Sequence, residues 1–145
     1  MEIIIAAIGK QKQSPELELL TKYVKQTRWK VTVREFEDKK SSGVKERMQK
    51  EGELLLSAVP EGGVIIALDE RGKHLSSEEF AHRLGTWQDN GIPAAAFLIG
   101  GADGHSPEVR KKAHLLLAFG KMTWPHCIIL KIVERTFIVF FGEEN

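Results

Sequence analysis

Two glycines, Gly100 and Gly101, directly follow an apolar run at Ala94–Ile99, and a third, Gly104, precedes the helix N-cap Ser106. This pattern predicts a buried strand, a tight loop whose backbone can approach a ligand closely, and a helix. Open α/β sheets bind small molecules at such loops. The segment lacks both the Gly-x-Gly-x-x-Gly pattern and the Gly-Lys-Ser/Thr ending of common phosphate loops. It therefore predicts a ligand loop, although closely spaced glycines also occur in structural turns.

Four other side chains are of types that can take part in catalysis or binding. His105 can act as a base or bind a phosphate, and Asp69 and Arg71 follow a strand end where a cofactor or RNA can be touched. The alternative for Asp69 and Arg71 is a solvated loop charge, and loop histidines more often have neither of the two roles named for His105. Cys127 lies in an apolar stretch, which indicates a buried thiol rather than a nucleophile. No residue is assigned as the catalytic base.

Size and composition restrict the class of protein. The 145 residues predict one domain, 1–145, and the single cysteine excludes an internal disulfide and indicates a reducing compartment. The five histidines have no ligand-like spacing, so no metal is expected. No apolar run reaches the ~20 residues that span a bilayer. The initial run is too short for a signal peptide, so no membrane association is expected and the predicted location is the cytoplasm.

Charge is unevenly distributed along the chain. Residues 1–50 carry twelve lysines and arginines against seven acidic residues, whereas the remainder carries nine against thirteen. Nucleic-acid-binding proteins often confine positive charge to one face in this way, and basic side chains position RNA through its phosphates. An uneven solvated surface is the alternative interpretation. The basic residues in question are Lys22, Lys25, Arg28, Lys30, Lys39, Lys40, Lys45, Arg47 and Lys50.

Hydrophobic periodicity predicts the elements that position these residues. Apolar runs at Met1–Ile8, Val64–Leu68 and Ala94–Ile99 predict strands buried on both faces, and alternation over Val31–Phe36 predicts a half-exposed strand. Helices are predicted from Pro15 to about Thr27, Val44 to Val59, Ser76 to Asn90 and Pro107 to about Leu116, with a short strand near Lys121–Thr123. Strands alternating with helices predict an α/β fold around a mostly parallel sheet.

Four segments taken in order, Ile3–Lys10, Ala67–Lys73, Phe97–Pro107 and Phe119–His126, carry a family resemblance. They resemble the RlmH family of bacterial ribosomal RNA methyltransferases. These are small enzymes of the SPOUT superfamily that methylate N-3 of a pseudouridine in large-subunit (23S) ribosomal RNA. The resemblance covers the chain from its first residue to about His126.

The resemblance implies a single SPOUT methyltransferase domain, with helices on a mostly parallel sheet and a C-terminal trefoil knot. Such a knot is an exception to the rule that chains do not thread. It would form a pocket for S-adenosylmethionine and pair two subunits as a homodimer acting on ribosomal RNA within the ribosome or large subunit. The cofactor contacts implied for this sequence are Leu68, Gly100, Phe119, Gly120, Lys121, Met122, Thr123 and Trp124. His126 matches a family histidine, which implies either a structural role or a role on the substrate side.

After His126 the chain departs from the family pattern. The family continues into a Glu-Gln-x-Tyr-Arg-like stretch and a His-Pro-Tyr-His-Arg-like tail, whereas here Glu134-Arg135 is a partial match and Phe137–Phe141 is apolar and β-prone. An alternative is therefore a catalytically weakened RNA- or ribosome-binding module of the same fold. A second alternative is an unrelated nucleotide-binding α/β enzyme that uses Gly100-Gly101 as its phosphate loop.

Overall fold

A computed structural model describes residues 1–9 and 30–118 of the chain. Strands and helices alternate along most of this part of the sequence. The strands are β1 (Glu2–Ile8), β2 (Val31–Phe36), β3 (Val64–His74), β4 (Ala94–Ile99) and β5 (Leu115–Ala118). The helices are α1 (Val44–Ser57), α2 (Ser77–Asp89) and α3 (Pro107–Lys112).

The five strands form one sheet in the order β2-β1-β4-β3-β5, and every neighbouring pair is parallel. The predicted α/β class with a mostly parallel sheet is therefore confirmed. Because the strands are parallel, all their carboxyl ends lie along the same side of the sheet, called here the carboxyl edge. The C-terminal knot remains a prediction.

Both faces of the sheet are covered, which explains why the central strands are apolar throughout. On one face α2 contributes Phe80 and Leu84, and the ring of Phe80 meets that of Phe97 edge to face at a centroid distance of 5.9 Å. On the other face α1 contributes Leu55, and α3 contributes Val109. Helices on both faces of a parallel sheet complete the three-layer architecture.

Four predicted elements agree with the structure to within two residues. Strands β2 and β4 span the predicted residues, whereas β1 begins one residue later than predicted and α1 ends at Ser57 rather than Val59. Helix α2 begins with a capping box, in which the Glu79 amide donates to Ser76 Oγ at 3.1 Å and the Ser76 amide donates to Glu79 Oε1 at 3.0 Å. The predicted helix at Pro15–Thr27 and strand at Lys121–Thr123 lie outside the described residues.

Two predicted boundaries are wrong. Helix α3 ends at Lys112 instead of near Leu116, and Leu115–Ala118 forms β5, the last strand of the sheet within the described residues. A four-residue apolar run is too short for its periodicity to distinguish helix from strand. Pairing with β3 makes this segment a strand. The Ile65 amide donates to His114 Nδ1 at 2.9 Å, and the His114 amide donates to Ile65 O at 2.8 Å.

Strand β3 is also longer than predicted. It does not end at Leu68, because its pairing with β5 breaks after that residue and resumes at Lys73. The four residues between them bulge from the ladder, and Asp69 is the first of these. A bulge of this kind redirects side chains at the edge of a sheet.

Helix α1 approaches α3 closely at Gly52. A β-carbon at Gly52 would lie 2.5 Å from Ser106 Oγ and 3.2 Å from Val109 Cγ2. Ser106 is the N-cap of α3, and its hydroxyl accepts a hydrogen bond from the Val109 amide at 3.3 Å. The missing side chain at Gly52 therefore allows α1 to pack against the start of α3.

A matched pair of glycine substitutions tests this close approach. Gly85 lies within α2, and apart from its chain neighbours and the backbone of its own helix its β-carbon would meet no atom of the described residues within 4 Å. Gly85→Ala should raise the free energy of unfolding by about 1 kcal/mol, the difference in helix propensity. Gly52→Ala should lower it by ~1–3 kcal/mol because the added methyl overpacks the contact with Ser106. Urea denaturation measures both changes, and stabilisation of equal size at both positions would contradict the packing argument.

Candidate functional site

The predicted site residues lie in or directly after three neighbouring strands, β3, β4 and β5. Leu68 in β3 is paired with Ile99 in β4 and with Leu117 in β5. Gly100, the residue after Ile99, therefore lies close to Leu68 at the carboxyl edge. Phe119–Trp124, the remaining predicted cofactor segment, directly follows β5 in the chain and lies outside the described residues. The sheet thus brings together the two predicted contacts that the structure describes.

Residues 100–104, called here the glycine loop, fold back on themselves. The Gly104 amide donates to Gly101 O at 3.0 Å, and Gly104 has a φ of +82°, a conformation that favours glycine. A β-carbon at Gly100 would lie 3.2 Å from Gly104 C and 3.2 Å from His105 Nδ1. The packing of the loop itself therefore restricts position 100 to a small residue, independently of any ligand.

His105 is buried beneath this loop, with 4% of its surface exposed. Its Nε2 lies 3.0 Å from Leu98 O, so Nε2 carries the proton and donates it, while Nδ1 has no hydrogen-bond partner among residues 1–9 and 30–118. Burial lowers the pKa of His105 below its ordinary value of 6.5, although the bond to Leu98 opposes this shift. The side chain is therefore a neutral, buried group rather than an exposed cation that binds phosphate.

Glu51 on α1, which is not among the residues predicted for the site, faces the glycine loop. Its carboxylate oxygens both lie 3.0 Å from the position that a β-carbon of Gly101 would occupy. The residue is 7% exposed, and Oε1 has no hydrogen-bond partner within the described part of the chain. One signal was available in the sequence, since Glu51 precedes the buried Leu55 by one helical turn and so shares its face.

The surroundings of Glu51 determine its electrostatics. Burial and the nearby carboxylate of Asp103 raise the pKa of Glu51 above its ordinary value of 4.5, whereas Arg47 opposes this shift. Arg47 Nη1 donates to Asp103 Oδ2 at 3.0 Å, which links α1 to the glycine loop a second time. Arg47, one of the predicted RNA-binding residues, therefore has a partner within the protein.

Asp69 brings two arginines together beside Leu68. The Asp69 side chain is 5% exposed. Its Oδ1 accepts hydrogen bonds from the Arg71 amide at 2.9 Å and from Arg71 Nε at 3.2 Å. Its Oδ2 lies 3.3 Å from Arg110 Nε. Burial acts to raise the pKa of Asp69, but the Arg71 hydrogen bonds and the Arg110 charge outweigh it and lower the pKa below 3.8. The two guanidinium groups and the one carboxylate give this cluster of three side chains a net charge of +1.

Two classes of feature are not found where the structure is described. Within residues 1–9 and 30–118, no group of three or more histidine, cysteine, aspartate or glutamate side chains is arranged to hold a metal ion. No helix in the same ranges is long and apolar enough to cross a membrane.

Comparison with known proteins identifies relatives over most of the chain. The family described as "Predicted SPOUT methyltransferase" matches residues 1–136. A protein of Paramagnetospirillum magneticum is 46% identical over 93% of this chain and 89% of its own length. Proteins of Rhodospirillum centenum and Rhodopseudomonas palustris (strain BisA53) are 47% and 42% identical over 89% and 98% of this chain, and over 85% and 96% of their own lengths. All three are named ribosomal RNA large subunit methyltransferase H.

The chain belongs to the SPOUT methyltransferase family, within the RlmH group that the sequence resemblance predicted. Methyltransferases of this family generally use S-adenosylmethionine. The family match extends to residue 136, and the Rhodopseudomonas palustris relative covers 98% of this chain, so the similarity continues beyond His126, where the resemblance was expected to end.

The buried histidine predicts a pH dependence of stability. The pKa of His105 is below 6.5 in the folded chain. Between the folded pKa and 6.5, the unfolded chain therefore binds more protons at this histidine than the folded chain does. The free energy of unfolding should therefore fall as the pH decreases below 6.5 towards the folded pKa. His105→Gln keeps a donor for Leu98 O without a titrating group, so its stability should fall less over the same range.

Chemical denaturation between pH 5 and pH 8 measures this difference. His82→Gln is the matched control, since His82 is exposed on α2. Identical pH profiles for the wild type and His105→Gln would contradict the interpretation of His105 as a neutral buried group.

Proposed function

We propose that this chain, as a single domain of residues 1–145, transfers a methyl group from S-adenosylmethionine to N-3 of a pseudouridine in bacterial large-subunit ribosomal RNA. The observation that supports this most directly is the position of Leu68 beside the glycine loop, at the carboxyl edge of the parallel sheet. The relatives named ribosomal RNA large subunit methyltransferase H support the choice of substrate. The proposal includes a homodimer, in line with the family resemblance.

The described residues fit the cofactor. An adenine ring needs an apolar wall and nearby backbone hydrogen-bonding groups, and half-buried Leu68 and the glycine loop supply both. The proposed contacts are Leu68, Gly100, Phe119, Gly120, Lys121, Met122, Thr123 and Trp124. S-adenosylmethionine supplies a methyl group already activated on a sulfonium, so the protein has to bind, align and exclude water.

The arginine pair around Asp69 supports an RNA substrate. The Arg71 and Arg110 side chains are 59% and 34% exposed. Their guanidinium groups can therefore still donate hydrogen bonds to a ligand while the buried Asp69 carboxylate orients them. Planar guanidinium groups bind phosphate through paired hydrogen bonds. We infer that these two arginines contact phosphates next to the target nucleotide.

Calorimetric titration with S-adenosylmethionine tests the cofactor site. Leu68→Ala should weaken binding about tenfold, because removing an apolar wall of this size costs about 1.4 kcal/mol. Leu56→Ala is the matched control: Leu56 is also a half-buried leucine, but it lies near the end of α1, which leads back to the amino ends of the strands. Equal affinities of the two variants, or tighter binding of a phosphorylated nucleotide than of S-adenosylmethionine, would argue against this site.

Methyl transfer to isolated large ribosomal subunits that lack the modification tests the reaction. The expected product carries one methyl group on a pseudouridine of the large-subunit RNA, detected by mass spectrometry of nuclease fragments. Binding of the subunit and of S-adenosylmethionine without transfer would instead favour the catalytically weakened binding module.

The same ribosomal subunits test the arginine pair. Arg71→Ala combined with Arg110→Ala should weaken binding and reduce the slope of log affinity against log salt by about 0.7–1 for each phosphate that the protein no longer neutralises. Arg83→Ala is the control. The Arg83 guanidinium lies over Trp87 on α2, and α2 covers the face of the sheet opposite to α3, which carries Arg110. An unchanged salt slope in the double variant would show that these arginines do not bind the RNA.

A further inference from the structure

One line of residues on α1 contacts the segment that contains the glycine loop. Arg47 reaches Asp103 at 3.0 Å, Glu51 lies against Gly101, and Gly52 packs on Ser106. Residues separated by four positions share one face of a helix, so Arg47 and Glu51 contact the loop from the same side. The loop therefore rests on α1 at two points.

Glu51 is unusual among these residues because its carboxyl group is buried without a hydrogen-bond partner at Oε1 in the described part of the chain. Buried polar atoms almost always have partners, and an orphaned one costs stability. A carboxylate of this kind on the buried face of a helix therefore calls for an explanation other than packing. Its two oxygens lie 3.0 Å from the point where Gly101 lacks a β-carbon, so the carboxyl group and the loop fit directly against each other.

We propose that Glu51 is a positioning residue for the cofactor site, which holds the backbone of Gly100 and Gly101 in the conformation that receives S-adenosylmethionine. The inference rests on the proposed function, in which the glycine loop contacts that cofactor. Glu51 acts through the loop and has no assigned contact with the reacting atoms. The Arg47–Asp103 ion pair holds the far end of the same loop, so the two contacts together fix its path.

The conservative variant distinguishes this role from a charge effect. Burial disfavours the ionised carboxylate and Asp103 adds repulsion, so an uncharged group of the same size suits the position. Glutamine has this size and keeps one acceptor and one donor. Glu51→Gln should therefore keep the loop in place, whereas Glu51→Ala leaves a gap beside Gly101.

The test is calorimetric titration of the full chain with S-adenosylmethionine, with the melting temperature of each variant measured in parallel. Glu51→Ala should weaken binding at least about tenfold, and Glu51→Gln should stay within about threefold of the wild type. Glu53→Ala, an exposed glutamate two residues further along α1, is the matched control and should bind as the wild type does.

A double-variant cycle tests the contact itself. Gly101→Ala should weaken binding in the wild type, because the added methyl lies 3.0 Å from both carboxylate oxygens. The same substitution should cost less affinity when combined with Glu51→Ala, because the shortened side chain at position 51 leaves room for the methyl. If Glu51→Ala does not fold, the affinities of Glu51→Gln and Gly101→Ala for S-adenosylmethionine test the contact instead.

The outcomes are distinguishable. A folded wild type that does not bind S-adenosylmethionine would overturn the proposed function and this inference together. A wild type that binds, with Glu51→Ala and Gly101→Ala binding equally well, would overturn the inference alone. A lower melting temperature of Glu51→Ala with an unchanged affinity would show a structural role only, and would likewise overturn it.

Discussion

The close approach of α1 to the segment between β4 and α3 is the constraint on which the candidate site depends. Gly52 has no side chain, and Ser106 Oγ occupies the space that one would fill. This contact sets the distance between α1 and the glycine loop, and it places Glu51 against Gly101 and Arg47 beside Asp103. A larger residue at position 52 would move all three contacts, because they belong to one rigid helix.

Two buried carboxyl groups near the carboxyl edge have opposite surroundings. Asp69 is surrounded by arginine donors, which lower its pKa and keep it ionised. Glu51 is buried with incomplete hydrogen bonding, so its pKa is raised. The first arrangement leaves positive charge beside Leu68, as an RNA substrate requires, whereas the second places a carboxyl group that is more readily protonated under the loop. Environment rather than residue type separates these two carboxyl groups.

The sequence could predict the elements whose signals are local. The apolar run of β4, the proline and serine that begin α3, and the capping box of α2 each predicted their element because the signal lies within a few residues. Strand β5 and the continuation of β3 to His74 could not be predicted in this way. Their hydrogen bonds come from residues about fifty positions apart, such as Ile65 and His114, and no local pattern records that pairing.

The sequence by itself determined the α/β class, the family and the position of the glycine loop after β4, because periodicity and motif spacing are properties of neighbouring residues. Only the tertiary structure decided that Leu68 and Gly100 are adjacent, that His105 is buried, and that Glu51 faces Gly101. These facts depend on strand order and helix packing. Both bring together residues distant in the chain, so the chemistry of the site becomes visible only once the sheet and its helices are assembled.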